Sequence, residues 1–271
     1  MIKYEFEPGR SECELIHVGT YKRRVPVSLN RMYENALDWA HLPYVHSGSF
    51  KSIRPIEFGA WGWRADVLDI KDRNLRLELL LDRSSRRWIT RNLEGVSQGA
   101  EIWTHVFEVG ERSLDLVIDF FVPAVSPNDR GKVGLAYAAS YERLYDEDVE
   151  MMGDRQFQLD KKVETNDQQD EIILSLAEEK LPFAIRLSGR EYLVNRDNAN
   201  WYVYPARCPH LLGPLHNVPI KNRAITCPWH GFEFDLLSGK QRQKENSRNS
   251  CELGPMPRVE AIEGKVRIYW A

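Results

Sequence analysis

The sequence predicts an α+β chain in two parts, an antiparallel sheet with its helices up to about residue 163 and a small all-β domain after it. Three observations predict this. Two helix-periodic stretches, 27–47 and 140–162, bracket a series of alternating strand-like segments. A polar run, VETNDQQDE at 163–171, interrupts the pattern. Beyond it come only short strands and turns, with no further helical period.

The first helix, VSLNRMYENALDWAHLPYVHS at 27–47, has Ser28 as its cap and Met32, Ala36, Leu37 and Ala40 at helical spacing, and Pro43 ends the run. Strand character follows at 56–70, aromatic and β-branched, and at 75–81, where Leu75, Leu77, Leu79 and Leu81 alternate. The segments 101–109 and 114–121 alternate too, and turn residues at 72–74, 110–112 and 126–131 separate them. The helix at 140–162 carries acids early and lysines at its end, as the helix dipole favours. The remainder reads as strands in REYLVNR, WYVYPA, RAITCPW, GFEFDLLSGK and KVRIYW. The domain plan is therefore 1–163, a linker at 164–178, and 179–271.

Composition narrows the function classes. A formal charge of -3 over 271 residues argues against a general nucleic-acid surface. The longest apolar run, at 114–125, is broken by Asp115 and Asp119 and is too short to span a bilayer. The N-terminus has acids and no apolar core, so no signal peptide is expected. Four cysteines in a chain of this length are no disulfide framework, which points to a reducing, cytoplasmic setting.

Chemistry concentrates in CPHLLGPLHNVPIKNRAITCPWHGFEFD, residues 208–235. Cys208 and His210 lie two apart, and Cys227 and His230 lie three apart. A zinc finger usually presents a cysteine pair and then a histidine pair. The order Cys-His, then Cys-His, suits two loops facing each other across a flat diiron cluster, with both thiolates on one iron and both imidazoles on the other. Two neutral imidazoles in place of thiolates raise the reduction potential. Gly213, Gly231 and the prolines allow the tight bends such loops need.

The segment from about 179 to 271 thus resembles the Rieske [2Fe-2S] domain, with Cys208, His210, Cys227 and His230 as the implied cluster ligands. Quinol-oxidising Rieske proteins carry two more cysteines, forming a disulfide beside the cluster. Gly213 and Trp229 stand at the matching places, so the resemblance is to the oxygenase and ferredoxin type. Cys13 and Cys251 are read as ordinary thiols.

A second site is written in ENALDWAHLPYVH at 34–46. His41 and His46 are five apart, wrong for one straight helix face, but a bend at Pro43 lets both imidazoles converge on one metal. Asp38, one turn before His41, is placed to orient a ligand. A carboxylate would complete the facial triad of a non-haem Fe(II) oxygenase, and Asp146, Glu147, Asp148 and Glu150 compete for that role. The pattern resembles that of Rieske non-haem iron oxygenases, Asn-x2-Asp-x2-His-x4-His followed by Glu-Asp on a later helix. The wording around the histidines is most similar to the branch containing pheophorbide a oxygenase. The resemblance implies His41, His46 and Asp148 as ligands of a mononuclear Fe(II), with Asp146 as the alternative, and a helix-grip-like catalytic domain ahead of a small all-β Rieske domain. His17, His105 and His216 fit no pattern, and Trp61 and Trp63 are expected in sheet packing.

In that family the Rieske domain usually precedes the iron-binding helix. Here the order is reversed, as in a circular permutation. The family's arrangement implies a homotrimer in which Asp38 of one chain bridges His41 and a cluster histidine, His210 or His230, of the next. The implied activity is hydroxylation or demethylation of a small organic substrate with O2, with electrons from a separate NAD(P)H-dependent reductase or ferredoxin. The alternative reading is a Rieske ferredoxin-like electron carrier with an N-terminal partner-binding domain.

Overall fold

The structure, a computed structural model, describes residues 14–161, 169–175, 180–242, 251–262 and 264–270. Cys13 and most of the polar run after 161 lie outside them. The chain divides into two compact units, Met1–Gln156 and Phe157–Ala271.

In the first unit seven strands form one antiparallel sheet. They are β1 (Ile16–Val25), β2 (Phe50–Gly59), β3 (Gly62–Asp69), β4 (Asn74–Asp82), β5 (Arg87–Glu94), β6 (Glu101–Gly110) and β7 (Ser113–Val122). Their spatial order is β1-β7-β6-β5-β4-β3-β2, so each hairpin neighbour pairs and only the long β1-to-β2 connection crosses the sheet. That connection holds two short helices, α1 (Leu29–Leu37) and α2 (Leu42–Val45), and a long helix, α3 (Arg130–Asp160), follows β7.

Period-two alternation creates the core. In β7 Leu114, Leu116, Ile118, Phe120 and Val122 are buried and the residues between them face outward. Along α3 the buried positions are Gly134, Tyr145, Asp148, Met151 and Met152, and Tyr137 stacks on Phe120 with ring centroids 5.3 Å apart. The helix approaches β1 closely at one point. A Cβ on Gly134 would lie 2.1 Å from the Val18 carbonyl oxygen, so no side chain fits there.

The outward face carries a row of alternating charge across four strands. Arg64, Glu78, Arg91 and Glu101 are successive cross-strand partners. Arg64 Nε donates to Glu78 at 3.1 Å, Arg91 Nε to Glu101 at 2.7 Å, and the Trp103 indole to Glu101 at 2.7 Å. Glu78 and Glu101 are buried among these partners, which is how charged side chains tolerate burial.

Several elements differ from the sequence expectation. The stretch 56–70 is not one strand but the end of β2, a turn and β3. β1 and β5 were not anticipated. The helix at 27–47 is broken at Asp38 (ψ 77°), followed by a 3₁₀ turn at Trp39–His41 and then α2, so the bend precedes Pro43, which sits in the first turn of α2. Ser28 does cap α1, accepting from the Arg31 N–H. α3 begins at Arg130 rather than 140, because Ser126 and Asp129 form its N-terminal turn. The acids at 146–150 therefore lie in mid-helix.

The second unit holds two three-stranded sheets and a hairpin. β9 (Phe183–Leu187), β10 (Arg190–Asp197) and β11 (Asn200–Pro205) form the first sheet, in the order β11-β10-β9. β12 (Ala224–Thr226) pairs with β13 (Glu233–Asp235). β14 (Arg258–Ile262), β15 (Lys265–Tyr269) and β8 (Glu171–Ser175) form the second, with β15 in the middle. The expected linker at 164–178 thus contains a strand, since Ile172 and Leu174 face inward against the Val266 and Ile268 core. Among the described residues, no helix is long and apolar enough to cross a membrane.

Candidate metal centres

The first centre is assembled by α1, the turn after it and α3. The break at Asp38 and the 3₁₀ turn bring His41 round, and α2 ends at His46, whose carbonyl accepts from Ser49 and Phe50. Both imidazoles are almost fully buried, as is Asp148 from α3. His41 Nε2 and His46 Nε2 lie 3.3 Å apart, and Asp148 Oδ1 is 3.4 Å from the first and 3.1 Å from the second. Three donors in adjacent positions about 2.1 Å from one metal stand about 3 Å apart, so these atoms have the spacing of a facial set. Among the described residues, this is the only such three-donor group.

Neighbouring side chains hold the His46 ring and the Asp148 carboxylate. His46 Nδ1 donates to Glu147 Oε2 at 2.6 Å, leaving Nε2 free to point inward. Asn35 Nδ2 donates to Asp148 Oδ1 at 2.9 Å. Asp38 Oδ2 lies 3.7 Å from His41 Nδ1. Asp146 faces the other way, exposed and paired with Arg23 at 2.6 Å, so it is not gathered with the histidines. Helical phase separates the four competing acids: Asp148 points at the histidines and Glu147 reaches round to His46, whereas in the sequence only the family resemblance ranks Asp148 first.

Burial works against charge on His41, but Asp148 and Asp38 outweigh it and raise its pKa to about 10. Burial likewise opposes the Asp148 carboxylate, and the hydrogen bonds from His41 and His46 hold its pKa well below the usual range. Both shifts favour a protonated His41 beside the carboxylate in the metal-free site, and a metal ion would compete with that proton. The Glu147 contact predicts a measurable role. Glu147→Ala should weaken metal affinity by roughly 10–100-fold, with Glu147→Gln intermediate, as found for residues that orient ligating histidines. Titration of the metal-free protein with ferrous ion reads this directly, and an unchanged affinity in the alanine variant would exclude it.

A cavity of about 130 Å³ opens beside these donors. Leu77, Leu79 and Trp88 from the sheet and Tyr141 and Tyr145 from α3 contribute to its lining. Trp63 lines it too, while its indole donates to the Ala36 carbonyl at 2.9 Å, so it serves the packing expected of it as well. His17, which fitted no motif, pairs with Asp119 at 3.2 Å, and His216 with Glu191 at 2.9 Å.

The second centre lies in the loops after β11 and between β12 and β13. The two loops repeat one backbone design. The Cys208 carbonyl accepts from Leu212 at 2.9 Å and its N–H donates to Gly213 at 2.8 Å; the Cys227 carbonyl accepts from Gly231 at 2.9 Å and its N–H donates to Phe232 at 2.8 Å. The fourth residue after each cysteine is left-handed, with φ of 66° at Leu212 and 65° at Gly231. Both thiols are buried, and the His210 and His230 rings meet edge to face with centroids 4.6 Å apart. Cys227 is the favoured thiolate, because the Cys208 thiol donates to it and His230 adds a further hydrogen bond; Cys208 is pushed up beside that anion. A Cβ on Gly213 would come within 2.8 Å of Cys227 Sγ and 3.1 Å of the Trp229 ring. Thiol thus faces thiol and imidazole faces imidazole, and the four donors are not gathered round a single ion as zinc requires. Two sulfur donors and two nitrogen donors in separate pairs fit a diiron cluster.

Residues 172–261 match the Rieske [2Fe-2S] domain family. That domain carries a [2Fe-2S] electron-transfer role and is typical of oxidoreductase systems. Comparison with curated proteins returns no match. Similar solved structures include norcoclaurine synthase from Thalictrum flavum in complex with dopamine and hydroxybenzaldehyde, at 15% identity over 59% of this chain and 99% of that one, TM-score 0.41. The ferredoxin of carbazole 1,9a-dioxygenase from Nocardioides aromaticivorans IC177 is similar at 19% identity over 38% of this chain and 100% of that one, TM-score 0.32. Ara h 8.0201 is similar at 10% identity over 51% of this chain and 98% of its own, TM-score 0.42.

Proposed function

We propose that the chain is a Rieske-type non-haem iron oxygenase that hydroxylates or demethylates a small organic substrate with O2. The observation that carries this reading is the convergence of His41, His46 and Asp148 beside a cavity, in the same chain as a Rieske [2Fe-2S] domain. A carrier of electrons alone has no use for a second buried donor set beside a cavity.

Cys208, Cys227, His210 and His230 hold the cluster, and His41, His46 and Asp148 hold a mononuclear Fe(II). When bound, these groups supply one-electron delivery and the activation of O2. The protein's own residues do the rest. Glu147 orients the His46 imidazole, Asp38 places a carboxylate 3.7 Å from the His41 ring, Asn35 fixes the Asp148 carboxylate, and Leu77, Leu79 and Trp88 give the cavity an apolar wall. A separate NAD(P)H-dependent reductase or ferredoxin feeds the cluster. The assembly is a C3 homotrimer in which Asp38 meets a cluster histidine of the neighbouring chain, the arrangement that the family resemblance implies.

Iron and sulfide counts with EPR of the reduced protein, before and after nitric oxide, test the reading. It requires a Rieske signal and, with nitric oxide, a high-spin iron–nitrosyl signal. Asp38→Asn should keep both signals while turnover nearly vanishes. A Rieske signal without the nitrosyl would reduce the protein to an electron carrier, and a fully active monomer would remove the trimer.

A further inference from the structure

Two tyrosine–threonine pairs join α3 to the inner face of the sheet, and they differ in one respect. Tyr145 is hydrogen-bonded to Thr104, and both are buried, at 5% and 1% exposure. One helical turn earlier Tyr141 is hydrogen-bonded to Thr90, and here both residues are only partly buried and both line the cavity beside the metal donors. In the first pair Tyr145 reaches the cavity lining but Thr104 does not. The second opens onto the space a substrate would occupy.

A hydroxyl pair has two donors and several acceptor lone pairs, and the bond between the two groups uses one donor. The Thr90–Tyr141 pair therefore keeps one O–H and spare lone pairs toward the cavity. Most of the other sheet and helix residues there are Leu, Trp and Tyr. A ligand oxygen placed there would accept from the hydroxyl that the pair leaves over. Burial raises the Tyr141 pKa, so the group remains a neutral phenol and can donate.

The spacing limits the size of the ligand. Tyr141 and Asp148 are seven residues apart on one helix, about 10 Å along its axis. A cavity of about 130 Å³ is close to the roughly 150 Å³ that admits benzene in an engineered protein core. We propose that Thr90 and Tyr141 are specificity-determining residues, selecting a compact, single-ring-sized apolar molecule that carries one hydrogen-bonding oxygen at the end remote from His41, His46 and Asp148. The inference rests on reading this cavity as the substrate site.

The test is binding, measured apart from turnover. 4-Methylphenol and 1,4-dimethylbenzene differ by a hydroxyl for a methyl and are titrated into the metal-loaded protein by calorimetry. The phenol should bind at least about tenfold more tightly, the scale on which one buried hydrogen bond discriminates. Tyr141→Phe and Thr90→Val should each bring the ratio towards one while leaving the affinity for the hydrocarbon unchanged. Thr104→Val, at a buried residue outside the cavity lining, should lower stability and leave the ratio alone. Equal affinities in the unaltered protein, no binding of either compound, or a ratio that survives Tyr141→Phe would each overturn the proposal. Failure of the oxygenase reading looks different: the iron–nitrosyl signal is missing while the phenol preference persists.

Discussion

Asp148→Ala should strip one iron from each chain and abolish substrate turnover, while the EPR signal of the reduced Rieske domain stays as it was. The carboxylate is buried and its Oδ1 lies 3.1 and 3.4 Å from the two Nε2 atoms, so its loss leaves two imidazoles facing an empty third position. Two neutral ligands do not balance the charge of a divalent ion in a buried site, and water would have to enter to replace the oxygen. His41 would also lose its principal charged partner, so burial would dominate and its raised pKa would fall. Iron counting gives the expected drop from about three per chain to about two, the complement of a diiron cluster plus one mononuclear site. A variant that still holds the third iron and still forms the nitrosyl would show that the ligand set is wrong.

Cys227→Ser should eliminate the cluster and with it the visible absorbance of the protein. The thiol is buried against Cys208, and a serine hydroxyl in its place does not ionise near neutral pH and is a harder, poorer ligand for iron. Because bound metal contributes to folding, the unit from Phe157 onward should melt earlier, while the sheet of Met1–Gln156 keeps its own transition and its capacity for ferrous ion. Differential scanning calorimetry separates the two transitions. A retained Rieske spectrum would mean that Cys227 is no ligand.

Much of this architecture could be read from the residues, and the parts that could not have identifiable causes. The alternation in β4, β6 and β7 announces a half-buried sheet because nothing interrupts its period. β5, RWITRNLE, hides its strand character because polar residues fall on both of its faces, with Arg91 on the outer face in the cross-strand row and Thr90 on the inner one, a placement visible only once the neighbours are known. The true start of α3 is masked by the turn residues at 126–131, which end in Gly131. Gly134 is there because β1 leaves no space for a Cβ. The Cys-His loops declare themselves because their ligands lie close in sequence. In the other centre both histidines fall within one short stretch, but the choice among the acids at 146–150 depends on the rotational phase of a helix whose beginning was misplaced by ten residues.

The charged row on the outer sheet face acts as a register check during folding. Sliding β4 by two residues against β3 would keep Leu75, Leu77, Leu79 and Leu81 facing inward, so hydrophobic burial alone would not reject it. That slip would set Glu78 against Asp66, or Arg76 against Arg64, where Arg64 now faces Glu78 and Asp66 faces Arg76. Like charges opposed across strands are repulsive, so mis-threaded sheets are penalised at the step where the grease cannot tell them apart.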